Sequence, residues 1–197
     1  MLGDYLKSFN TKKLTLIGPL IKERAFFSPP VVYIDGGTHL GVVENSFSIG
    51  DGDSSSVALD LQLPREKDES DLAYALKNIP EQYNEISLLG FLGGRKDHEL
   101  INLAEIHRFL SERSETRVHF DDEICAFSGS LELNIKGIFS LFAFEESKVS
   151  VKGACKYPLE SQLLARSSHG LSNEGSGVVI FETNCPIFLF RVDKQED

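Results

Sequence analysis

Residues 46–56 read SFSIGDGDSSS, an apolar strand pattern that runs directly into two aspartates set two positions apart among glycines and serines. Glycine relieves backbone strain, and Asp and Ser side chains bond nearby amides, so these residue types build tight turns. The same residues also suit the mouth of a metal site. Deciding between the two requires placing the other acids relative to the strands.

LTLIGPL (14–20), VVYID (31–35), SFSIGD (46–51) and ISLLGF (86–91) are short apolar runs of the kind that form buried strands. Between and after them, Leu72, Ala75, Leu76 and Ile79, then Leu100, Leu103, Ile106 and Leu110, recur at helical spacing. Helices are expected over 71–78 and 98–113. Strands alternating with helices predict an α/β domain with a mostly parallel sheet over residues 1–115. Beyond it the pattern is all β. In SLELNIKG (130–137), Leu131, Leu133 and Ile135 face one way and Glu132, Asn134 and Lys136 the other. IFSLFAF (138–144), KVSVKG (148–153), GVVIFET (177–183) and PIFLFRV (186–192) add strands divided by glycine, acidic pairs and NCP, so residues 116–197 are expected to form an all-β sandwich domain. The boundary falls in the charged stretch SERSETRVHFDDE (111–123).

Composition narrows the function. The chain has 197 residues, 41% of them apolar, enough to build a core. A formal charge of −10, shared by both halves, sets aside no basic face for nucleic acid. No apolar run approaches the ~20 residues of a membrane span, so a soluble, cytoplasmic protein is expected, with no membrane partner. Cys125, Cys155 and Cys185 lack the close pairing of zinc or redox motifs and read as buried reduced thiols.

The acids can now be placed. Asp35 closes VVYID, Asp51 and Asp53 follow FSIG, and Asp97 follows ISLLGF in GFLGGRKDH, so acids stand after three separate strands. If the strands are parallel, their loops leave one edge of the sheet, where open α/β folds bind ligands. Crowded carboxylates repel one another unless a cation lies between them. Hard oxygen donors favour Mg²⁺, which commonly arrives with phosphate, so an ATP-using site is expected. Arg95 offers a planar fork to phosphate oxygens, beside Gly93 and Gly94. Ser70 and Asp71 stand where a helix starts, which also makes them a cap and a favourably placed charge, and Lys67 and Asp68 read as a solvated charge run. The standard phosphate-binding loops are missing, and DGDSSS is not an EF-hand loop, because Ser56 and Gln62 stand where its glycine and glutamate belong.

Taken in order, IDGGTHL, GDGDS, KDESDLAYAL, LGFLGGRKDHELIN, FSLFAF, VKGACKYPLE and SSHGLSNE resemble the thiamine pyrophosphokinase family, from about Ile17 to Leu189. The resemblance implies a homodimer with its sites between subunits, and the reaction of ATP with thiamine to give thiamine diphosphate and AMP. It implies that Asp51, Asp53 and Asp71 hold Mg²⁺ and nucleotide phosphate, and that Arg95 meets phosphate charge. Asp97 would meet metal or the thiamine hydroxyl, as first candidate for a general base, with His98 second. Asp35, Gly36, Lys67, Ser70 and His98 fall on the nucleotide side, and Ser172, Asn173 and His169 on the thiamine side.

The sequence departs from the family at several points. Gly52 replaces a bulky apolar residue, Ser70 replaces threonine, and no KPD precedes the acidic turn. The chain also has no tryptophan, leaving His169, Phe181 or Phe188 to stack on thiamine. These departures keep two other readings open: an ATP-dependent and Mg²⁺-dependent diphosphotransferase acting on a different alcohol, and a non-catalytic thiamine-binding relative.

Overall fold

The computed structural model describes residues 1–23, 27–55, 57–121, 123–164 and 166–192, and the chain divides into two compact units. One contains Met1–Glu105 and Val118–Asp121, the other Ile106–Arg117 and Asp122–Asp197. The chain leaves the first unit, returns to it for a short strand, and leaves again.

The first unit begins with α1 (Leu2–Lys7), β1 (Lys13–Ile17), β2 (Val31–Ile34), β3 (Phe47–Gly50) and β4 (Leu61–Gln62). It continues with α2 (Asp71–Lys77), β5 (Glu85–Leu89), the start of α3 (Lys96–Ser111) and β6 (Arg117–Phe120). The strand order is β4-β3-β2-β1-β5-β6, and the pairings among β1 to β5 are all parallel. All four residues of β2 are buried, as expected for a strand covered on both faces.

The expected parallel sheet is present, and the two expected helices form as α2 and α3, so helices alternate with strands only in the later part of this unit. Among the described residues α2 is the α-helix between β4 and β5, and a short 3-10 segment, Asp35–Leu40, lies between β2 and β3. Residues 35–46, DGGTHLGVVENS, carry no apolar stripe that a helix could bury. Helix α2 forms because Leu72, Ala73, Ala75 and Leu76 give it a buried face and the Ser70 hydroxyl accepts the Ala73 N–H at 3.1 Å, the capping role read from the sequence. Helix α3 starts at Lys96 and buries Ile106, Phe109 and Leu110, whereas Leu100 is 57% exposed. The apolar spacing was legible there, but only its second half is covered.

The second unit contains β7 (Ile124–Phe142), β8 (Ser147–Cys155), β9 (Leu159–Leu164) and β10 (Asn173–Val192), antiparallel in the order β7-β10-β8-β9. Among the described residues four strands replace the larger number expected, because SLELNIKG and most of IFSLFAF fall in one strand, and GVVIFET and PIFLFRV in another. NCP shifts the register of β10 without ending it. Pro186 cannot donate to a ladder, and Thr183 Oγ bridges the break, donating to the Cys185 carbonyl at 2.8 Å and accepting its N–H at 3.3 Å.

The two long strands fold the sheet back on itself. Phe139 of β7 pairs with Asn173 at one end of β10 and with Arg191 near the other. Phe188 likewise pairs with both Ala126 and Phe142. A strand that pairs twice with the same partner must curl, and the face enclosed is the core, where Phe127, Phe139, Val151, Val179 and Phe181 are buried. Cys125 is buried here as expected, but Cys155 and Cys185 are only partly so, and all three are free thiols. No described helix is long and apolar enough to cross a membrane.

Candidate functional site

Strands β2 and β3 are parallel neighbours with Ile34 opposite Ile49, so the chain leaves both strands at the same edge. Asp35 follows one and Asp51 the other. Their approach depends on Gly50, because a Cβ there would lie 2.9 Å from Asp35 Cα. Asp35 adopts φ +48°, a left-handed conformation that is strained for a residue with a side chain. Thr38, fully buried, places its hydroxyl 3.0 Å from Ser55 Oγ and ties the loop after β2 to the acidic turn.

Carboxylate oxygens of Asp35, Asp51 and Asp53 all lie within 4.8 Å of one another. Asp51 Oδ1 accepts the Asp53 N–H at 3.0 Å, and this bond is the main reason the Asp51 carboxyl is held below its usual range. The positive charges of Lys67 and Arg65 act in the same direction. Asp35 shifts the other way. Burial raises its pKa, the Gly36 N–H partly opposes this, and the charges of Asp71, Asp51 and Asp53 raise it further. Asp35 Oδ1 is buried without a hydrogen-bond donor. These groups suit a hard divalent cation: octahedral Mg²⁺ at about 2.1 Å from each oxygen spaces its ligands by roughly 3–4 Å.

A group with a raised folded-state pKa binds its proton more tightly when folded. Its stabilising contribution is present at low pH and is lost as pH rises through the raised value. In metal-free protein Asp35→Asn is therefore expected to raise the melting temperature at pH 7 and to have little effect at pH 3, as measured by thermal unfolding at the two pH values. A lower melting temperature at pH 7 would contradict the electrostatic account of Asp35.

The other acids expected at the site are arranged differently. Asp71 is not in the group of three; its Oδ1 lies 3.0 Å from Lys67 Nζ, in a pair with little exposure on either side. Lys67 is thus an ion-pair partner and not part of a solvated charge run. Arg95 and Asp97 bind each other, with Nε to Oδ1 at 3.1 Å and a terminal nitrogen to Oδ2 at 2.5 Å. The Arg95 hydrogen bond lowers the Asp97 carboxyl to about 2. They follow β5, which stands two places from β2 in the sheet, roughly 10 Å at ordinary strand spacing, which accounts for their absence from the three-carboxylate group. Gly36 is buried beside Asp35, and His98 is exposed near the start of α3.

Gly52 has φ +84°, and a Cβ there would lie 3.3 Å from Gln62 Nε2, which donates to the Asp51 carbonyl at 3.2 Å. A neighbouring strand thus braces this turn where a bulky residue was expected. Gln62 enters the sequence reading only as a residue that excludes an EF-hand loop, not as a brace for this turn.

The second unit holds a cleft of about 340 Å³ lined by Phe139, Leu141, Tyr157, Gln162, His169 and Asn173, among others. His169 is exposed there, and Ser172 adjoins it with φ +57° and its N–H on Ser140 Oγ at 3.0 Å. Phe181 and Phe188 are fully buried, which removes them as stacking residues. Tyr157, 55% exposed, is the aromatic that the cleft presents instead. It lies in the VKGACKYPLE motif, so the aromatic that could stand in for tryptophan was present in the sequence.

No protein-family model matches the chain, and no curated protein matches it in sequence. Solved structures match its fold. A thiamine pyrophosphokinase from Bacillus subtilis superposes with a TM-score of 0.71 at 20% identity, covering 92% of this chain and all of its own. A thiamin pyrophosphokinase from Geobacillus thermodenitrificans gives 0.69 at 22%, covering 93% of this chain and 99% of its own. The thiamin pyrophosphokinase from Candida albicans gives 0.68 at 13%, covering 94% of this chain and 89% of its own. The chain shares the fold of these proteins across almost its entire length.

Proposed function

We propose that the chain is a thiamine pyrophosphokinase, transferring the diphosphoryl group of ATP to the hydroxyl of thiamine and releasing AMP. The observation that carries this reading is the meeting of Asp35, Asp51 and Asp53 at one edge of a parallel sheet, in a chain with the fold of thiamine pyrophosphokinases. Three carboxylates, one of them with a buried oxygen that has no donor, are suited to Mg²⁺, and Asp71, whose Oδ1 faces Lys67, would help to hold it. The metal would supply charge neutralisation at the transferring phosphates.

In this reaction the thiamine hydroxyl oxygen bonds to the β-phosphorus, the bond from that phosphorus to the bridging oxygen of AMP breaks, and the hydroxyl proton passes to solvent or to the phosphate oxygens. Catalysis of this kind depends mainly on position and charge, so a general base is optional. A carboxyl held near 2 is a weak proton acceptor at neutral pH, and we assign Asp97 to holding the Arg95 fork towards phosphate in place of the base role. Gly36 and Ser70 take backbone and capping roles beside the nucleotide, and Lys67 would meet its phosphates. His98 stays on the nucleotide side at the start of α3. Thiamine occupies the cleft of the second unit beside His169 and Ser172, with its rings on Tyr157. The working form is a homodimer with its sites between subunits, acting in the cytoplasm where ATP is supplied.

Gly52 and the missing tryptophan are the features that favour a different alcohol. A panel of primary alcohols, each offered with ATP and Mg²⁺, distinguishes the two readings. Turnover with thiamine alone supports the assignment, and turnover only with another alcohol replaces it.

A further inference from the structure

Asn173 is expected to hold thiamine, yet three of its four side-chain hydrogen-bonding positions are taken within the chain. Its Oδ1 accepts the Tyr157 N–H at 3.0 Å and the Glu174 N–H at 2.8 Å, and its Nδ2 donates to the Tyr157 carbonyl at 2.6 Å. The residue is 7% exposed. A carboxamide presents one acceptor and one donor side by side, the same pair that a peptide unit offers across an antiparallel ladder.

The position of this pairing gives it meaning. Gly175 stands opposite Cys155 in the β10–β8 ladder, and the Lys156 N–H donates to the Glu174 carbonyl at 2.9 Å. One step further the backbone pairing of β10 with β8 has ended, although Asn173 still pairs with Phe139 of β7. The Asn173 side chain takes over there and carries the β8 side of the ladder on to Tyr157. The left-handed φ of Ser172 immediately before it marks the bend of the chain at this point. Tyr157 is then followed by Pro158, which has no N–H to contribute. An exposed aromatic at the mouth of the cleft is thus held by its own backbone, through one buried side chain.

We infer that Asn173 is a positioning residue whose effect on ligand binding passes through Tyr157. The inference rests on the reading that the cleft takes thiamine, whose thiazolium ring is a permanent cation of the kind that aromatic faces attract.

A double-mutant cycle, with thiamine affinity measured by equilibrium dialysis, tests it. Tyr157→Ala and Asn173→Ala are each expected to weaken binding by roughly tenfold, the scale of one well-placed aromatic contact with a cation. The double variant should be no weaker than either single one. Losses that multiply, or an Asn173→Ala variant that binds normally, would overturn the inference. Amide exchange of wild-type Tyr157 requires no variant to fold. Slow exchange, matching the neighbouring ladder, is required, and fast exchange overturns the clamp. If the wild type binds no thiamine, the functional reading fails while the exchange result still judges the clamp.

Discussion

Asp51→Asn and Asp53→Asn are each expected to reduce thiamine-dependent AMP release by at least ~10²-fold, a scale typical of removing one electrostatic contact made in the transition state. Asparagine preserves the shape of each side chain and removes its charge. Asp51 also accepts the Asp53 N–H, which a carboxamide oxygen can still do, so the turn should survive and the melting temperature should change little. Loss of activity in a protein that melts normally therefore assigns these acids to the chemistry. Near-normal turnover would remove the metal from Asp51 and Asp53.

The largest effect on stability is expected at Phe181. Its ring is fully buried and meets the rings of Phe127 at 6.1 Å and Phe139 at 5.6 Å, both edge-on. Phe181→Ala deletes a whole ring from between two others, and large aromatic truncations in a core cost about 3–5 kcal/mol. That is a large share of the ~5–15 kcal/mol by which domains are stable. Urea unfolding should show a markedly lower midpoint for the second unit, and a change under about 1 kcal/mol would contradict the packing described.

The sequence showed some of this structure clearly and concealed the rest for physical reasons. The parallel strands were legible because burial on both faces demands continuous apolar runs, as in VVYI. Helix α2 was legible because its cap and its stripe agree. Strand β6 was missed because RVHF buries only Val118 and Phe120 and lies between charged residues that resemble a linker. The joining of β7 and of β10 was missed because Gly137 and NCP read locally as breaks, whereas a closing sheet uses such irregularities to bend.

At the site, Asp35, Asp51 and Asp53 could be found because they stand in the turns that leave β2 and β3. Which of the acids meet could not be read, since that depends on strand order: β2 and β3 are neighbours, and β5 lies beyond β1. Asp35 therefore joins Asp51 and Asp53, while Asp97 turns to Arg95. The role of Asn173 was hidden for a different reason. Residue type shows that an amide needs partners, but only the fold shows that Tyr157 already supplies two of them.

Diphosphoryl transfer to thiamine is tested by incubating the purified protein with ATP and Mg²⁺, with and without thiamine, and following AMP together with the mass of the product. AMP is expected only when thiamine is present, matched by a product that has gained two phosphates. AMP release that ignores thiamine, or a product carrying a single phosphate with ADP released, would contradict it.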